Sequence, residues 1–349
     1  MGIGGVASAL ASTTIPVISS ASSVYSTPVV GAAPVALGVY LPTVLDDPSV
    51  FAKFTQMIDR SPAFLVWYEG WSRGSFSDAK RAHLAKFSRW GVTPMISWGP
   101  FDPEGDSVNQ PAYALGNIVR GDFDAYVDSW ATGLAEYGKP IWLSFAHEMN
   151  GNWNPWGVGV NGNQPGEYIA AYRRVHGRFI QAGATNVRWI WAPNELYDGV
   201  PATLAEVYPG DDYVDWFGMN GFNWGRSINW ASCDCQSAWR SFAEVFGTTY
   251  DSLQTLGTKP IMICETGSSE IGGDKAAWIS DALLDQLVNA YPGVRAITWF
   301  NTATNGLDTT KAGEVVPTNS VDWRVESSSR SLQAFVHAAA SPYYQGILA

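Results

Sequence analysis

The chain has 349 residues, 46% hydrophobic and 15% charged, enough to bury one large α/β barrel or two ordinary domains. A net charge of −11 argues against a polyanionic partner such as nucleic acid, whose phosphates must be neutralised by Lys and Arg, and leaves a neutral polymer open. With 17 Trp, 15 Tyr and 15 Phe, more than a core of this size needs, some aromatic faces are left to stack on rings of a ligand.

Residues 1–35 carry no charged side chain and are rich in Ala, Ser, Thr, Val and Gly. Pro16, Pro28 and Pro34 interrupt any apolar helix long enough to span a bilayer, and the basic start of a secretory signal is missing. The stretch reads as a tail, or as the remnant of a signal or linker, with the catalytic fold in 36–345. From Ala36 onward, short β-type runs recur. They cover Ala36 to Leu41, Phe64 to Trp71, Thr93 to Gly99, Ile141 to Phe145, Val187 to Asn194, Asp215 to Phe222, Pro260 to Glu265 and Ala296 to Asn301. Between them lie amphipathic patterns such as Phe123, Val127, Trp130, Leu134 and Tyr168, Tyr172, Val175, Phe179, whose spacings of three and four place apolar side chains on one helix face. Gly183 follows the second as a helix stop. Eight β-runs alternating with helices predict a single (β/α)8 TIM barrel, with a doubly wound open sheet as the competitor.

The four histidines have no metal-site spacing, no G-x-S-x-G elbow or phosphate loop is present, and no metal or cofactor is expected. Cys233 and Cys235 are too close for an easy disulfide, and Cys264 falls within a buried run. Two glutamates end strand-like runs instead: Glu148 in WLSFAHEMNGNWNPWG and Glu265 in PIMICETG. On strands 4 and 7 of a barrel, both reach the C-terminal face, where such folds build their sites. Paired carboxylates in a Trp-lined cleft are the equipment of glycoside hydrolysis: one protonates the departing oxygen, the other attacks the anomeric carbon. Burial among Trp153 and Trp156 would favour the protonated form of the acid. Outer sugar sites, or loop packing over the barrel rim, are expected at Trp67, Tyr68, Glu69 and Trp71 on the end of strand 2 and at Trp98 with Asp102 after strand 3, and substrate contact at Trp191 with Asn194 on the end of strand 5.

The segments His147-Glu148-Met149-Asn150-Gly151 with Trp153 and Trp156-Gly157, YPGDDYVDWFG at 208–218, KPIMICETG at 259–267, DKAAW at 274–278 and Trp299-Phe300-Asn301 resemble glycoside hydrolase family 26 from about Leu37 to about Phe335. The resemblance implies a retaining endo-acting enzyme, most often a β-1,4-mannanase, with mixed-linkage β-1,3-1,4-glucanases and β-1,3-xylanases as minorities. It implies Glu148 as acid/base, Glu265 as nucleophile, His147 against the sugar beside the scissile bond and Trp299 as the platform beneath it. The expected setting is a secreted monomer acting on a neutral β-linked polysaccharide, with no membrane or nucleic-acid partner. One departure stands out. Where the family commonly places a strand-6 Tyr that donates to the nucleophile, this chain has Phe222, leaving Asn220, Asn223 or a Tyr from elsewhere for that bond. From other classes, a carbohydrate-binding protein without turnover and a barrel enzyme for phosphorylated metabolites rank behind; the glycines of TGSSEIGG at 266–273 lack a basic partner for a phosphate.

Overall fold

The computed structural model describes residues 33–230, 235–305 and 320–344. Eight parallel strands close into a barrel in chain order: β1 (Ala36–Tyr40), β2 (Phe64–Gly70), β3 (Thr93–Gly99), β4 (Ile141–Phe145), β5 (Val187–Trp191), β6 (Trp216–Asn220), β7 (Ile261–Thr266) and β8 (Val294–Phe300). The pairing of β8 with β1, from Ala296 opposite Ala36 to Phe300 opposite Tyr40, removes the free edges an open doubly wound sheet would have. The β5 run ends earlier than its sequence predicts, at Trp191, because Pro193 has no N–H for the ladder.

Side chains alternate across the barrel wall. Ala36, Phe64, Val66, Met95, Trp142, Ile190, Trp216, Met262, Cys264 and Ala296 fill the interior. Their strand neighbours Leu37, Leu65, Ile96, Leu143, Phe217, Ile263 and Ile297 pack outward under the helices. Gly38 pairs with Phe64 on the neighbouring β2, and a Cβ there would come within 2.2 Å of the ring, so the bulky Phe64 requires glycine beside it.

The surrounding helices follow the predicted faces. Helix Asp124–Tyr137 buries Val127, Trp130 and Leu134, and helix Pro165–Gln181 buries Tyr168, Tyr172, Val175 and Phe179. Pro165 at the first turn, with the reciprocal Gln164–Glu167 cap, starts the second helix, and Gly183 at φ 73° follows its end. Arg174 spans the two helices with a forked contact to Asp124, at 2.8 and 2.6 Å.

Val35, assigned to the tail by its sequence, is fully buried and donates its N–H to the Tyr343 carbonyl at 3.0 Å, so packed structure begins before β1. The remainder of the predicted tail, residues 1–32, lies outside the described residues, as do Cys233 and the side chain of Cys235. Cys264 is a free thiol inside the barrel.

Candidate active site

Glu148 stands three residues beyond β4, on backbone that turns sharply into the mouth. Ala146 and Glu148 have φ of 48° and 54°, a region costly for side chains with a Cβ, on the order of 1–3 kcal/mol each. The turn is held from both neighbouring strands: Ala146 N–H donates to the Trp98 carbonyl (3.1 Å) and Glu148 N–H to the Ala192 carbonyl (2.7 Å). Two donors meet the carboxylate. Asn220 Nδ2 from the end of β6 reaches Oε1 at 2.8 Å, and Trp153 Nε1 reaches Oε2 at 2.6 Å.

Glu265 reaches the same space by an irregularity in β7. Met262 and Cys264 point inward, so strict alternation would send residue 265 outward. The register slips there: Met219 pairs with Ile263, but Asn220 pairs with Glu265, and the bulge brings Glu265 to the mouth. Tyr68 from β2 donates its hydroxyl to Glu265 Oε1 at 2.5 Å. Burial, and secondarily the nearby Glu148 charge, push the Glu265 carboxyl up to about 8, against the lowering effect of the Tyr68 bond.

His147 precedes Glu148 and sets its ring edge-on to Tyr68 at 6.2 Å. Its Nδ1 is 3.1 Å from Ser97 Oγ, and its ring packs against Trp156 at 5.5 Å. Burial lowers its pKa, only partly offset by the Glu148 charge, so a neutral imidazole faces the cleft at neutral pH.

The remaining predicted positions divide sharply. Trp153 is exposed at the mouth, Asn194 is half-buried, and Asn220 is wholly buried with its amide on Glu148. Asn194 and Asn220 form an isolated parallel bridge, and Asn150 fastens the Asn194 backbone from the β4 side at 2.8 Å. Phe222 is mostly buried in an aromatic wall with Trp323, at 4.7 Å, and Phe300, at 5.6 Å.

Five tryptophans expected to touch substrate do not present a face to the cleft. Trp299 is 1% exposed, donates its indole N–H to the Trp323 carbonyl at 2.7 Å, and packs outward against Trp278 and Phe335. The reason is strand parity: Ala296 points inward, so Trp299 points out and Phe300 in. The same parity sends Trp98 out to Tyr126 and Phe179, and Trp191 out to Tyr208 and Phe217. Trp71, beyond β2, is buried against Trp98, Phe123 and Phe145. Trp156 is buried beneath His147, whose carbonyl accepts its indole N–H at 2.6 Å.

Other residues take up the vacated roles. Tyr68, expected at an outer sugar site, shares the inward parity of Phe64 and Val66 and supplies the hydroxyl missing at Phe222. Phe300 stacks on Tyr40 at 4.8 Å beside Tyr68, forming the aromatic floor on the β1–β8 side. Arg240 forks onto Glu195 at 2.6 and 2.7 Å and donates to the Phe222 carbonyl at 2.9 Å, clamping the loop after β6 to the end of β5. No spacing in the sequence signals that pair.

A closed (β/α)8 barrel with two hydrogen-bonded carboxylates at its C-terminal mouth and aromatic walls on either side is of the glycoside hydrolase class. The chain belongs to Glycosyl hydrolase family 26, a retaining family, whose description matches residues 52–238. It is 36% identical over 252 residues to Endoglucanase H of Acetivibrio thermocellus, covering 71% of this chain and 24% of that protein. Identity to the Beta-1,3-xylanase TXYA of a Vibrio species is 30% over 124 residues, covering 33% of this chain and 25% of the relative. The chain therefore spans about a quarter of the length of these curated relatives. Among solved structures, the catalytic domain of the endo-β-1,4-mannanase of Bacillus sp. JAMB-750 shares the fold with a TM-score of 0.61 at 17% identity, over 90% of this chain and 87% of that one.

Proposed function

We propose that the chain is a retaining endo-β-glycanase acting on β-1,4 linkages of a neutral polysaccharide outside the cell, with β-glucan as the preferred substrate class ahead of β-mannan and β-1,3-xylan. The observation that carries the chemistry is the pairing of Glu148 and Glu265 at one mouth, each with its own hydrogen-bond donor from a different strand. The proton that burial holds on Glu265 in the free site passes to Glu148 when substrate binds, and Glu265 attacks the anomeric carbon as the carboxylate, with its charge stabilised by Tyr68. Glu148 passes its proton to the departing glycosidic oxygen. The leaving sugar exits, water loses a proton to Glu148 and attacks the same carbon, and Glu265 is released with configuration retained. Neutral His147, held by Ser97, offers a hydrogen bond to the sugar without adding charge beside the acid.

The glucan preference is supported by the likeness to Endoglucanase H, which extends over 252 residues against 124 for the β-1,3-xylanase. It reverses the mannan-first order that the family majority alone implies. The test is reducing-sugar release from barley-type β-glucan, galactomannan, glucomannan and β-1,3-xylan, with the anomer of the first product followed by NMR. Fastest release from β-glucan with retention is expected. Fastest release from a mannan overturns the preference, an inverted first product overturns the mechanism, and binding without release makes the chain a carbohydrate-binding protein.

A further inference from the structure

Four large apolar side chains stand well exposed among the described residues: Trp153, Ile180, Tyr197 and Ile271. Ile180 lies on an outer helix. Trp153 and Tyr197, 37% and 40% exposed, are neighbours, with ring centroids 6.4 Å apart and planes inclined by 32°. Water-facing aromatic pairs at the rim of a site are the places where a ligand with an apolar face gains most by covering them.

The pair is tied to the chemistry at one end and anchored at the base. Trp153 Nε1 donates to Glu148 Oε2 at 2.6 Å, so the indole edge begins where the acid's oxygen ends. Its ring rests on Gly151, where a Cβ would come within 2.4 Å, so the glycine sets the tilt of the indole. Tyr197 continues the surface from the Trp153 ring, in the segment after β5 that Leu196 fastens by donating its N–H to Thr249 Oγ1 at 2.8 Å.

In acid-assisted glycoside cleavage, the acid lies against the departing oxygen, so the sugar bearing that oxygen sits on the acid's side of the cleft. The aromatic floor of Tyr40 and Phe300 lies next to Tyr68, the partner of the nucleophile, on the opposite side. We infer that Trp153 and Tyr197 form the platform for the leaving-group part of the chain, Trp153 under the first departing pyranose and Tyr197 beyond it. The inference rests on the reading of Glu148 as the acid. Tyr197 is thereby a specificity-determining residue: it acts on substrates whose leaving group is a sugar and has little to hold when the leaving group is a small phenol.

The experiment compares Tyr197→Ala with the unaltered chain on the polysaccharide it cuts fastest and on the dinitrophenyl β-glycoside of the matching oligosaccharide. Because the ring is exposed, its truncation removes little packing. Expected is a loss in kcat/KM on the polymer of roughly fivefold to tenfold, the size of one aromatic contact, and a loss several times smaller on the aryl glycoside. Equal losses on both substrates, or none on the polymer, overturn the platform. Titration of cellohexaose and mannohexaose into the chain carrying Glu265→Ala, with and without Tyr197→Ala, separates this failure from that of the functional reading. Weaker binding with Tyr197→Ala supports the platform, and equal binding overturns it alone. Absence of both binding and turnover in the parent chain overturns the glycanase reading and the platform together.

Discussion

Replacing Tyr68 by Phe removes one oxygen atom and tests the reading of Glu265 as nucleophile. The hydroxyl donates to Glu265 Oε1 at 2.5 Å, and no other side-chain donor to that carboxylate is seen among the described residues. A hydrogen bond to a charged group contributes about 1.5–3 kcal/mol, so its loss should lower kcat/KM by roughly tenfold to a hundredfold. The pH dependence is more diagnostic than the size. The bond favours the carboxylate, opposing the burial and the Glu148 charge that push the Glu265 pKa up. Without it the pKa rises further, less of the nucleophile is ionised at a given pH, and the acidic limb of the kcat/KM profile moves to higher pH. The ring itself stays, packed edge-on against Tyr40 at 4.9 Å, so the fold should hold. The assay is kcat/KM from pH 4 to 9 on an aryl glycoside, with circular dichroism as the check on folding. A folded Tyr68→Phe protein with an unmoved acidic limb and a rate within twofold would refute the assignment.

Stability should carry the same signature. Because the folded-state pKa of Glu265 lies above its unfolded value, the folded state holds a proton that the unfolded chain has released, and stability falls as pH rises from about 4.5 towards 8. Glu265→Gln removes that penalty, so its gain in Tm over the parent should be larger at pH 8 than at pH 4.5; equal gains at both would count against it. Trp299→Ala should destabilise by about 3–5 kcal/mol, roughly 10 K in Tm, as a buried indole between barrel and helix does. Phe300→Ala, half-exposed at the mouth, should instead lower kcat/KM with the smaller melting loss; a folded Trp299→Ala protein with impaired turnover would return Trp299 to the site. Arg240→Lys gives up the two-pronged contact with Glu195 and the Phe222 carbonyl, so kcat should fall more than KM changes, and a pure KM effect would show that the clamp does not position Asn220.

Local sequence determined the strands, the helices and the two carboxylates. Strand runs show where β-branched and aromatic residues stop at Gly, Asn or Pro, and helices show in three-and-four spacing, because both depend on neighbours within a few residues. Glu148 and Glu265 were legible as strand-end residues for the same reason, and so was Tyr68 at the end of strand 2, though not as the donor to Glu265. The tertiary structure decided which aromatic side chains meet the cleft. Trp98, Trp191 and Trp299 sit at strand ends like true cleft residues, yet the period of two turns each toward the helices, and composition cannot show which parity is inward. Glu265 escapes that rule only through the slip between Met219 and Asn220, an offset between two strands rather than a property of either. The bond from Tyr68 to Glu265 and the fork from Arg240 to Glu195 join residues 197 and 45 positions apart, and only barrel closure and loop docking bring such partners within hydrogen-bond reach.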